Sequence, residues 1–249
     1  MIEHSFLHVP GVGQKTEAYL KRLGVARWSD WFALRDRVSV QLGLRAQLDR
    51  VLEESLAALA RRDLQALAAL LSPGEVWRLA ARFPDLRIGY FDIETTGLDR
   101  HHSHITVAGL WDGTRETVFV RGRNLERLPE ALVACDILVT FNGKRFDLPF
   151  VEHAFGIKLS MPHVDLVYPC RRLGLRGGLK AIETRLGIGR SAETQGLGGL
   201  DAVILWHSHL EGTPGALERL IRYNLEDVRH LEGVLAHVVA ELSLAELSS

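Results

Sequence analysis

The sequence predicts an α/β protein in which a mixed β-sheet with flanking helices follows a small all-helical N-terminal subdomain. Residues 14–81 carry apolar side chains at spacings of three and four and show no strand signal. From Pro84 onward, short β-rich runs separated by turn-forming residues replace that pattern. The length of 249 residues fits one large domain or two small ones. We place the boundary between residues 1–83 and residues 84–249.

Four helical segments are predicted in the N-terminal region. Their sequences are QKTEAYLKRLGV, SDWFALRDRV, LRAQLDRVLEESLAALARRDLQALAALL and PGEVWRLAARF. Ser29 and Ser72 occupy N-cap positions, where a side-chain oxygen can accept a backbone N–H of the first turn. Trp28, Trp31 and Trp77 fall at helical spacings, so we expect these side chains in the core.

The second region begins with three runs that predict an antiparallel meander: LRIGYFDIETT, HITVAGLWDG and ETVFVRG. LERLPEALVAC then predicts a helix, and DILVTFN predicts a buried strand. Three helical segments follow, VDLVYPCRRLG, GLKAIETRLG and ALERLIRYNLEDVRHLEGVLAHVVAELS. Asp165 is expected to cap the first of them, with Pro169 in its opening turn. Three antiparallel strands, a helix and a fourth strand predict a mixed sheet with helices on its faces.

Composition excludes several classes of protein. No apolar run approaches the ~20 residues of a membrane helix, and the N-terminus lacks a basic stretch followed by an apolar one. Cys135 and Cys170 are too few for a disulfide framework or a cysteine-rich zinc site, so we expect a cytoplasmic protein. Zinc binding is not expected at the histidines either, because a zinc site needs a converging fourth ligand and none is visible. The histidines form two groups, the first with His101, His102 and His104 and the second with His207 and His209.

The first chemically informative motif is DIETTGL at residues 92–98, at the end of an apolar strand. Residues two apart in a strand point to the same face, so Asp92 and Glu94 project side by side. Two like charges this close repel, and a fold tolerates them mainly when a cation lies between them. An acidic strand end that leads into a solvated turn is the alternative interpretation.

The second motif is FNGKRFDLPF at residues 141–150, where the fourth predicted strand ends and a helix begins near Arg145. Asp147 would lie in the first turn of that helix, where negative charge is favoured and a carboxylate can point towards the sheet edge. The alternative is that Asp147 interacts only with the helix dipole.

The third motif is YNLED at residues 223–227 of the last long helix. Tyr223 and Asp227 are four residues apart and share one helix face. Asp227 lies beside the apolar stripe that includes Val228 and Leu231, where a carboxylate costs free energy unless a partner or a metal holds it. A half-buried Tyr–Asp pair on an ordinary amphipathic helix is the alternative.

Together these residues resemble the three motifs of the DEDD superfamily of RNase H-like 3′–5′ exonucleases. Arg222 stands where the histidine version of the third motif would need His, so the tyrosine subclass matches better. HVDL, RRL, LKAIE and LGIGR, between residues 163 and 190, resemble YprB-type RNase H-like domains. The likeness covers about residues 86–239. The matching residues of the three motifs are Asp92 and Glu94, then Asn142, Phe146 and Asp147, then Tyr223 and Asp227.

The resemblance implies a site that binds two Mg²⁺ or Mn²⁺ ions and hydrolyses the terminal phosphodiester of single-stranded DNA or RNA, releasing nucleoside 5′-monophosphates. Asp92, Glu94 and Asp227 would hold the ion that binds the nucleophilic water, with Asp92 bridging to a second ion that Asp147 supports. Tyr223 would orient the water through its hydroxyl. The implied contacts to the terminal nucleotide are Thr95, Thr96, Leu98, Asn142 and Phe146.

Basic residues near these motifs are candidates for contacts to the strand's phosphates. Lys180 is the strongest, because it lies within a matched motif, and the others are Lys144, Arg145, Arg171, Arg172 and Arg176. Solvated helix faces are the alternative. The formal net charge is −1, with about +3 in residues 1–83 and −4 in residues 84–249. An acidic site within basic surroundings is compatible with that balance.

HVPGVGQK at residues 8–15 resembles the hairpin of a helix-hairpin-helix element, in which glycines let backbone N–H groups approach phosphate. A structural cap on the helical subdomain is the alternative. For the whole chain, two other functions remain open: a nucleic-acid-binding module without turnover, and an RNase H-type structure-selective endonuclease. The complete set of acidic residues favours the enzyme, and the tyrosine favours the exonuclease. The sequence leaves the choice between DNA and RNA open.

Overall fold

The computed structural model describes residues 2–247, which contain a five-stranded sheet with the order β3-β2-β1-β4-β5. β1 pairs with β2, and β2 with β3, in antiparallel fashion, whereas β1 pairs with β4, and β4 with β5, in parallel. The predicted mixed sheet with an antiparallel start is therefore confirmed. The strands are β1 (Ile88–Thr95), β2 (Ile105–Trp111), β3 (Glu116–Val120), β4 (Ile137–Thr140) and β5 (His163–Asp165).

Eleven α-helices accompany the sheet in the described part of the chain. Five precede it: α1 (Gln14–Arg22), α2 (Trp28–Leu34), α3 (Leu42–Ala60), α4 (Leu64–Leu70) and α5 (Trp77–Arg82). Six follow its first strands: α6 (Leu128–Val133), α7 (Asp147–Phe155), α8 (Val167–Arg172), α9 (Leu179–Leu186), α10 (Gly199–Leu210) and α11 (Ala216–Leu247). The segment that resembles a hairpin turns at Gly11 (φ +86°) and leads into α1.

The sequence analysis misses β5, which is only three residues long and too short to show an alternating pattern. The segment beginning at Val164 was predicted to be helical, whereas α8 begins only at Val167. Asp165 is therefore the last residue of a strand and not the N-cap, which is Leu166. Its carboxylate nevertheless accepts the N–H of Val167 at 3.1 Å.

The longest helix predicted in the N-terminal region, LRAQLDRVLEESLAALARRDLQALAALL, is two helices in the structure, α3 and α4. Arg62 adopts a left-handed conformation (φ +55°) after α3, and the Asp63 side chain caps α4 by accepting the N–H of Ala66 at 3.0 Å. A short polar break of this kind does not interrupt the spacing of the apolar residues, so the sequence pattern predicts a single helix.

Both predicted serine caps are wrong. Ser29 lies inside α2, whose N-cap is Arg27, and the nearby Asp30 carboxylate accepts the N–H of Arg27 at 2.7 Å. Ser72 begins a turn instead of a helix, because its carbonyl accepts the N–H of Glu75 and α5 starts only at Trp77. At α2 the Asp30 carboxylate therefore bonds the start of the helix, and at α5 the N-cap is Val76, which has no side-chain cap.

The two faces of β1 contribute to different cores. Phe91 and Ile93 point towards α6 and α7, whereas Tyr90 points towards the core that contains α11. That second core is continuous with the N-terminal helices, where Trp28, Trp31 and Trp77 are fully buried as predicted. Between residues 2 and 247, no helix combines the length and the apolar character needed to cross a bilayer.

Candidate active site

Two acidic side chains occupy the end of β1 on one face of the sheet. Asp92 lies opposite Gly109 of β2, and Glu94 lies opposite Val107. The register shifts immediately after Glu94, and such bulges bend a strand and redirect its side chains. Glu94 is buried and Asp92 is partly buried. The strand therefore holds both carboxylates in fixed positions beside α11.

Helix α11 approaches this edge closely because β2 carries a glycine there. A Cβ atom on Gly109 would lie 3.3 Å from Val228 Cγ1 and even closer to the amide of Asn224. Asn224 is fully buried, and its Nδ2 donates to the Asp92 carbonyl at 3.2 Å and to Asp92 Oδ2 at 2.9 Å. These contacts bring Asp227, on the next turn, over the end of β1.

The result is a compact group of three carboxylates. One oxygen each from Asp92, Glu94 and Asp227 lies within 4.8 Å of the other two. Burial raises the pKa of Asp92, and the negative charges of the neighbouring carboxylates raise it further. The pKa of Glu94 is raised for the same two reasons. An all-oxygen donor set with excess negative charge fits a hard divalent cation.

Asp147 belongs to the same site but reaches it from the other side of the sheet. The pairing of β1 with β4 ends at Tyr90, so the N–H of Ile93 has no strand partner there and donates to Asp147 Oδ1 at 3.0 Å. Asp147 is the first residue of α7, as the sequence predicts for a first-turn acid. Burial raises the pKa of Asp147 to about 7, although the Ile93 N–H lowers it.

The turn between β4 and α7 is held by a carboxylate whose role the sequence analysis assigned differently. Asp165 accepts backbone N–H groups from Asn142 at 2.8 Å and from Lys144 at 3.1 Å. Asn142 adopts a left-handed conformation (φ +67°), which Asn tolerates better than most residues. The turn places Asn142 and Phe146 at the edge of the acidic group.

A cavity of about 480 Å³ opens over the carboxylates. Helix α10 supplies one wall, through Gly199, Leu200 and Val203, which the sequence analysis did not identify. The capping Asp201, three residues after Gly198, followed by an apolar run, was the available signal for this helix. Ten residues singled out in the sequence also line the cavity: Asp92, Glu94, Thr95, Thr96, Leu98, Asn142, Phe146, Asp147, Tyr223 and Asp227.

None of the six basic candidates is among the residues that line this cavity, and Arg171 and Arg176 line a separate one. Lys180 is beside the cavity, where its Nζ donates to the Tyr223 hydroxyl at 2.9 Å. Lys144 lies over the ring of Tyr168, 5.8 Å from its centroid. Arg172 forms an ion pair with Glu75 of the N-terminal region. The structure thus gives Arg172 an intramolecular partner where a phosphate contact was expected.

A buried arginine sits next to the acidic group. Arg190 donates two hydrogen bonds of 2.6 Å to Glu183 and also forms an ion pair with Asp227. Burial raises the pKa of Asp227, and the Arg190 guanidinium opposes that rise. His230 Nδ1 lies 3.0 Å from Glu183, so it helps to fix the carboxylate that holds Arg190. The sequence analysis cited Glu183 and Arg190 only as parts of matched motifs.

Comparison with known proteins identifies the fold. The family model for the RNase H superfamily matches residues 89–239. No curated protein sequence matches the chain. The family B DNA polymerase from the hyperthermophilic archaeon Pyrobaculum calidifontis aligns with a TM-score of 0.52 and 20% identity, over 63% of this chain and 25% of the polymerase. The chain therefore spans about a quarter of that protein's length.

Brucella melitensis NrnC aligns with a TM-score of 0.44 and 21% identity, over 66% of this chain and 80% of NrnC. The same protein with bound Mg²⁺ aligns with a TM-score of 0.41 and 22% identity, over the same shares of the two chains. The family match shows the RNase H-like fold, and the polymerase alignment is consistent with it.

Proposed function

The chain belongs to the RNase H superfamily, and we propose that it is a metal-dependent 3′–5′ exonuclease of the tyrosine DEDD type, with a YprB-type domain. The observation that carries this proposal is the convergence of Asp92, Glu94 and Asp227 within 4.8 Å. Asp147 and Tyr223 line the same cavity, so all five residues of the motif set face one space. The substrate is the 3′ end of single-stranded DNA or RNA.

The donor set fits two divalent ions, Mg²⁺ or Mn²⁺. Asp92, Glu94 and Asp227 would hold one, and Asp92 and Asp147 would support the other. Bound ions of this kind lower the pKa of water and stabilise negative charge on phosphate oxygens. The raised pKa values of Asp92 and Glu94 support this assignment, because a buried excess of carboxylates becomes favourable once cations neutralise it.

Tyr223 acts as a hydrogen-bond donor and not as a base. Burial and the nearby carboxylates raise the pKa of Tyr223, so its hydroxyl stays protonated at neutral pH. Lys180 Nζ donates to the hydroxyl oxygen, which leaves the phenolic proton free to be donated into the cavity. There it orients the attacking water relative to the scissile phosphodiester.

The apolar walls of the cavity fit the base of a terminal nucleotide. Leu98 is 87% exposed and Leu200 is 75% exposed, and the two residues belong to different elements that border the cavity. Exposed apolar side chains beside a polar cluster are characteristic of binding surfaces. Asn142 and Phe146 contribute to the same rim, and an unpaired base at a strand end can reach it without the cost of opening a duplex.

The test is digestion of 5′-labelled single-stranded 20-mers of DNA and RNA with matched sequence, in Mg²⁺, Mn²⁺ or EDTA. We expect a ladder shortened from the 3′ end that EDTA abolishes. Asp92→Asn should lower kcat by at least about 10²-fold, as when one charge-stabilising group is removed from a site. Tyr223→Phe should lower kcat by roughly 10- to 100-fold without changing metal affinity, since the hydroxyl contacts water.

Glu218→Gln is the matched control, because this acidic residue lies on the same helix as Asp227 but is exposed. It should leave the ladder unchanged. Binding of the 20-mers without shortening in any metal would instead indicate a binding module. A single internal cut would indicate an endonuclease.

A further inference from the structure

A second cavity, of about 350 Å³, lies beside the loop that joins β1 to β2. Apolar side chains line part of it, including Phe150 and Phe155. No acidic side chain is among the residues that line it. Five basic or titratable side chains surround it: Arg100, His101, His104, Arg121 and His153. We call this space, with the five side chains around it, the basic cavity.

The basic cavity adjoins the catalytic cavity along two elements. Leu98 lines the catalytic cavity, and Arg100, two residues later, lines the basic one. On α7, Asp147 faces the catalytic cavity and His153 faces the basic one. Six residues of α-helix rise by about 9 Å. A strand whose end lies over Asp147 could therefore reach the basic cavity with its following nucleotides.

The β1–β2 loop, which carries Arg100, His101 and His104, is fixed at its base. The N–H of Thr96 donates to the His104 carbonyl at 2.9 Å, and the N–H of His104 donates to Thr96 Oγ1 at 2.9 Å. The rings of His101 and His153 meet edge to face, with centroids 4.7 Å apart. The loop and α7 thus hold four of the five basic groups around one space, and the turn after β3 supplies Arg121.

None of these five side chains forms an ion pair between residues 2 and 247, although the Asp99 carboxylate lies near His101 and accepts its backbone N–H at 2.9 Å. Arg172 and Arg190, in contrast, are ion-paired with buried carboxylates. General positive charge does not explain the cluster, because residues 84–249 carry a net charge of −4. The guanidinium groups of Arg100 and Arg121 attract anions, and phosphate oxygens are the anions that Arg binds best. The histidine rings can donate hydrogen bonds to the same oxygens.

We propose that the basic cavity binds backbone phosphates of the same single strand, upstream of the end that enters the catalytic cavity. The inference rests on the proposed function, since it assigns the route of that substrate. A free nucleoside 5′-monophosphate offers the same phosphate chemistry, and the experiment separates the two sources.

The test compares Arg121→Gln with Arg123→Gln. Both arginines are exposed and lie two residues apart in one turn, but only Arg121 lines the basic cavity. Binding of a fluorescent single-stranded 20-mer is measured by anisotropy in EDTA over a series of salt concentrations. Arg121→Gln should weaken binding several-fold and reduce the slope of log K against log salt by about 1, as expected for one lost phosphate contact. Arg123→Gln should change neither.

His153→Gln, on the opposite wall, is a second variant in case Arg121→Gln alters folding, and it should weaken binding in the same direction. In turnover assays with Mg²⁺, the ratio of KM for the 20-mer to KM for a dinucleotide should rise in the Arg121 variant. A dinucleotide is too short to occupy both cavities fully, so it serves as the reference.

Equal binding by the Arg121 and Arg123 variants would overturn this inference while leaving strand shortening, and with it the proposed function, intact. Binding that depends on Arg121 without any shortening would support the basic cavity and overturn the exonuclease. If Arg121→Gln weakened binding of deoxythymidine 5′-monophosphate but not of the 20-mer, the cavity would take free nucleotides, and the assignment to the strand would be wrong.

Discussion

Two buried clusters of charge in this chain are balanced in opposite ways. In the first, Glu75 is ion-paired with Arg78 and Arg172, and Arg78 is also ion-paired with Glu246. The side chains of Arg78 and Glu75 are only 2% and 8% exposed. We call this group the paired cluster. It connects α5, α8 and α11, and each of its acids has an arginine partner.

The second cluster contains the carboxylates of the candidate active site. Asp92 and Glu94 have raised pKa values because burial and like charges both disfavour ionisation, and Arg190 neutralises only part of the charge. Burying a charge is costly unless it is paired. In the paired cluster, arginine side chains neutralise the buried carboxylates. The second cluster, which we call the acidic cluster, would be fully neutralised only by the bound cations that we propose. The difference is the one expected between a structural ion-pair cluster and the metal site that we propose.

The largest effect is expected when the paired cluster is broken. Glu75→Gln would remove one of the carboxylates paired with Arg78 and also the partner of Arg172, and removal of one partner of a buried pair costs about 3–5 kcal/mol. The free energy of unfolding, measured in urea, should fall by that amount. Glu54→Gln, which removes an exposed i,i+4 pair with Arg50, should cost less than about 1 kcal/mol.

Activity of the folded Glu75→Gln protein should equal that of the wild type if the cluster is structural. A loss of stability no greater than that of the Glu54 control would show that the two clusters do not differ as described. If the Glu75→Gln protein lost substrate affinity without losing kcat, the ion pair with Glu75 would be positioning Arg172 for a phosphate contact.

The contrast also explains what the sequence could predict. Alternation in β1 and helical spacing in α11 place acids on defined faces, so their convergence follows from local periodicity and the fold class. The partner of Arg172 does not follow, because Glu75 is distant in sequence and either residue could equally face water. Asn224 is recognisable as important only once α11 is known to cross β2 at Gly109. Contacts between distant segments carry that information, and local pattern does not.

A smaller effect is expected from the pH dependence of the acidic cluster in EDTA. Burial raises the pKa of Asp147 from 3.8 to about 7 in the folded protein. Between about pH 4 and 7 the folded state therefore binds more protons than the unfolded state, so the free energy of unfolding falls as pH rises. For one group the loss is on the order of 3 kcal/mol over this window.

Asp147→Asn should flatten this dependence, because the amide oxygen can still accept the N–H of Ile93 but carries no charge. The measurement is urea unfolding at pH 4, 5.5 and 7 in EDTA, with Glu218→Gln as the control. For the wild-type protein, saturating Mg²⁺ in place of EDTA should restore the free energy of unfolding that is lost at pH 7. If the stability of the wild type rose with pH across this window, the carboxylates would already be neutralised without metal, and the contrast between the clusters would fail.

The smallest effect concerns Arg190, the residue at which the two kinds of balance meet. Its guanidinium is fixed by Glu183 and contacts Asp227, so it places a positive charge beside the carboxylates that would receive the metal. Arg190→Gln should destabilise the metal-free protein, since Glu183 and Asp227 lose their cation. Mg²⁺ should then stabilise the variant more than the wild type, by about 1 kcal/mol, because a like charge next to the ion has been removed.

The measurement is the gain in the free energy of unfolding on adding Mg²⁺ to the Arg190 variant and to the wild type. The control is Arg185→Gln, which changes an exposed arginine of α9. A smaller gain in the Arg190 variant than in the wild type would mean that Arg190 holds Asp227 in position for the ion and does not compete with it.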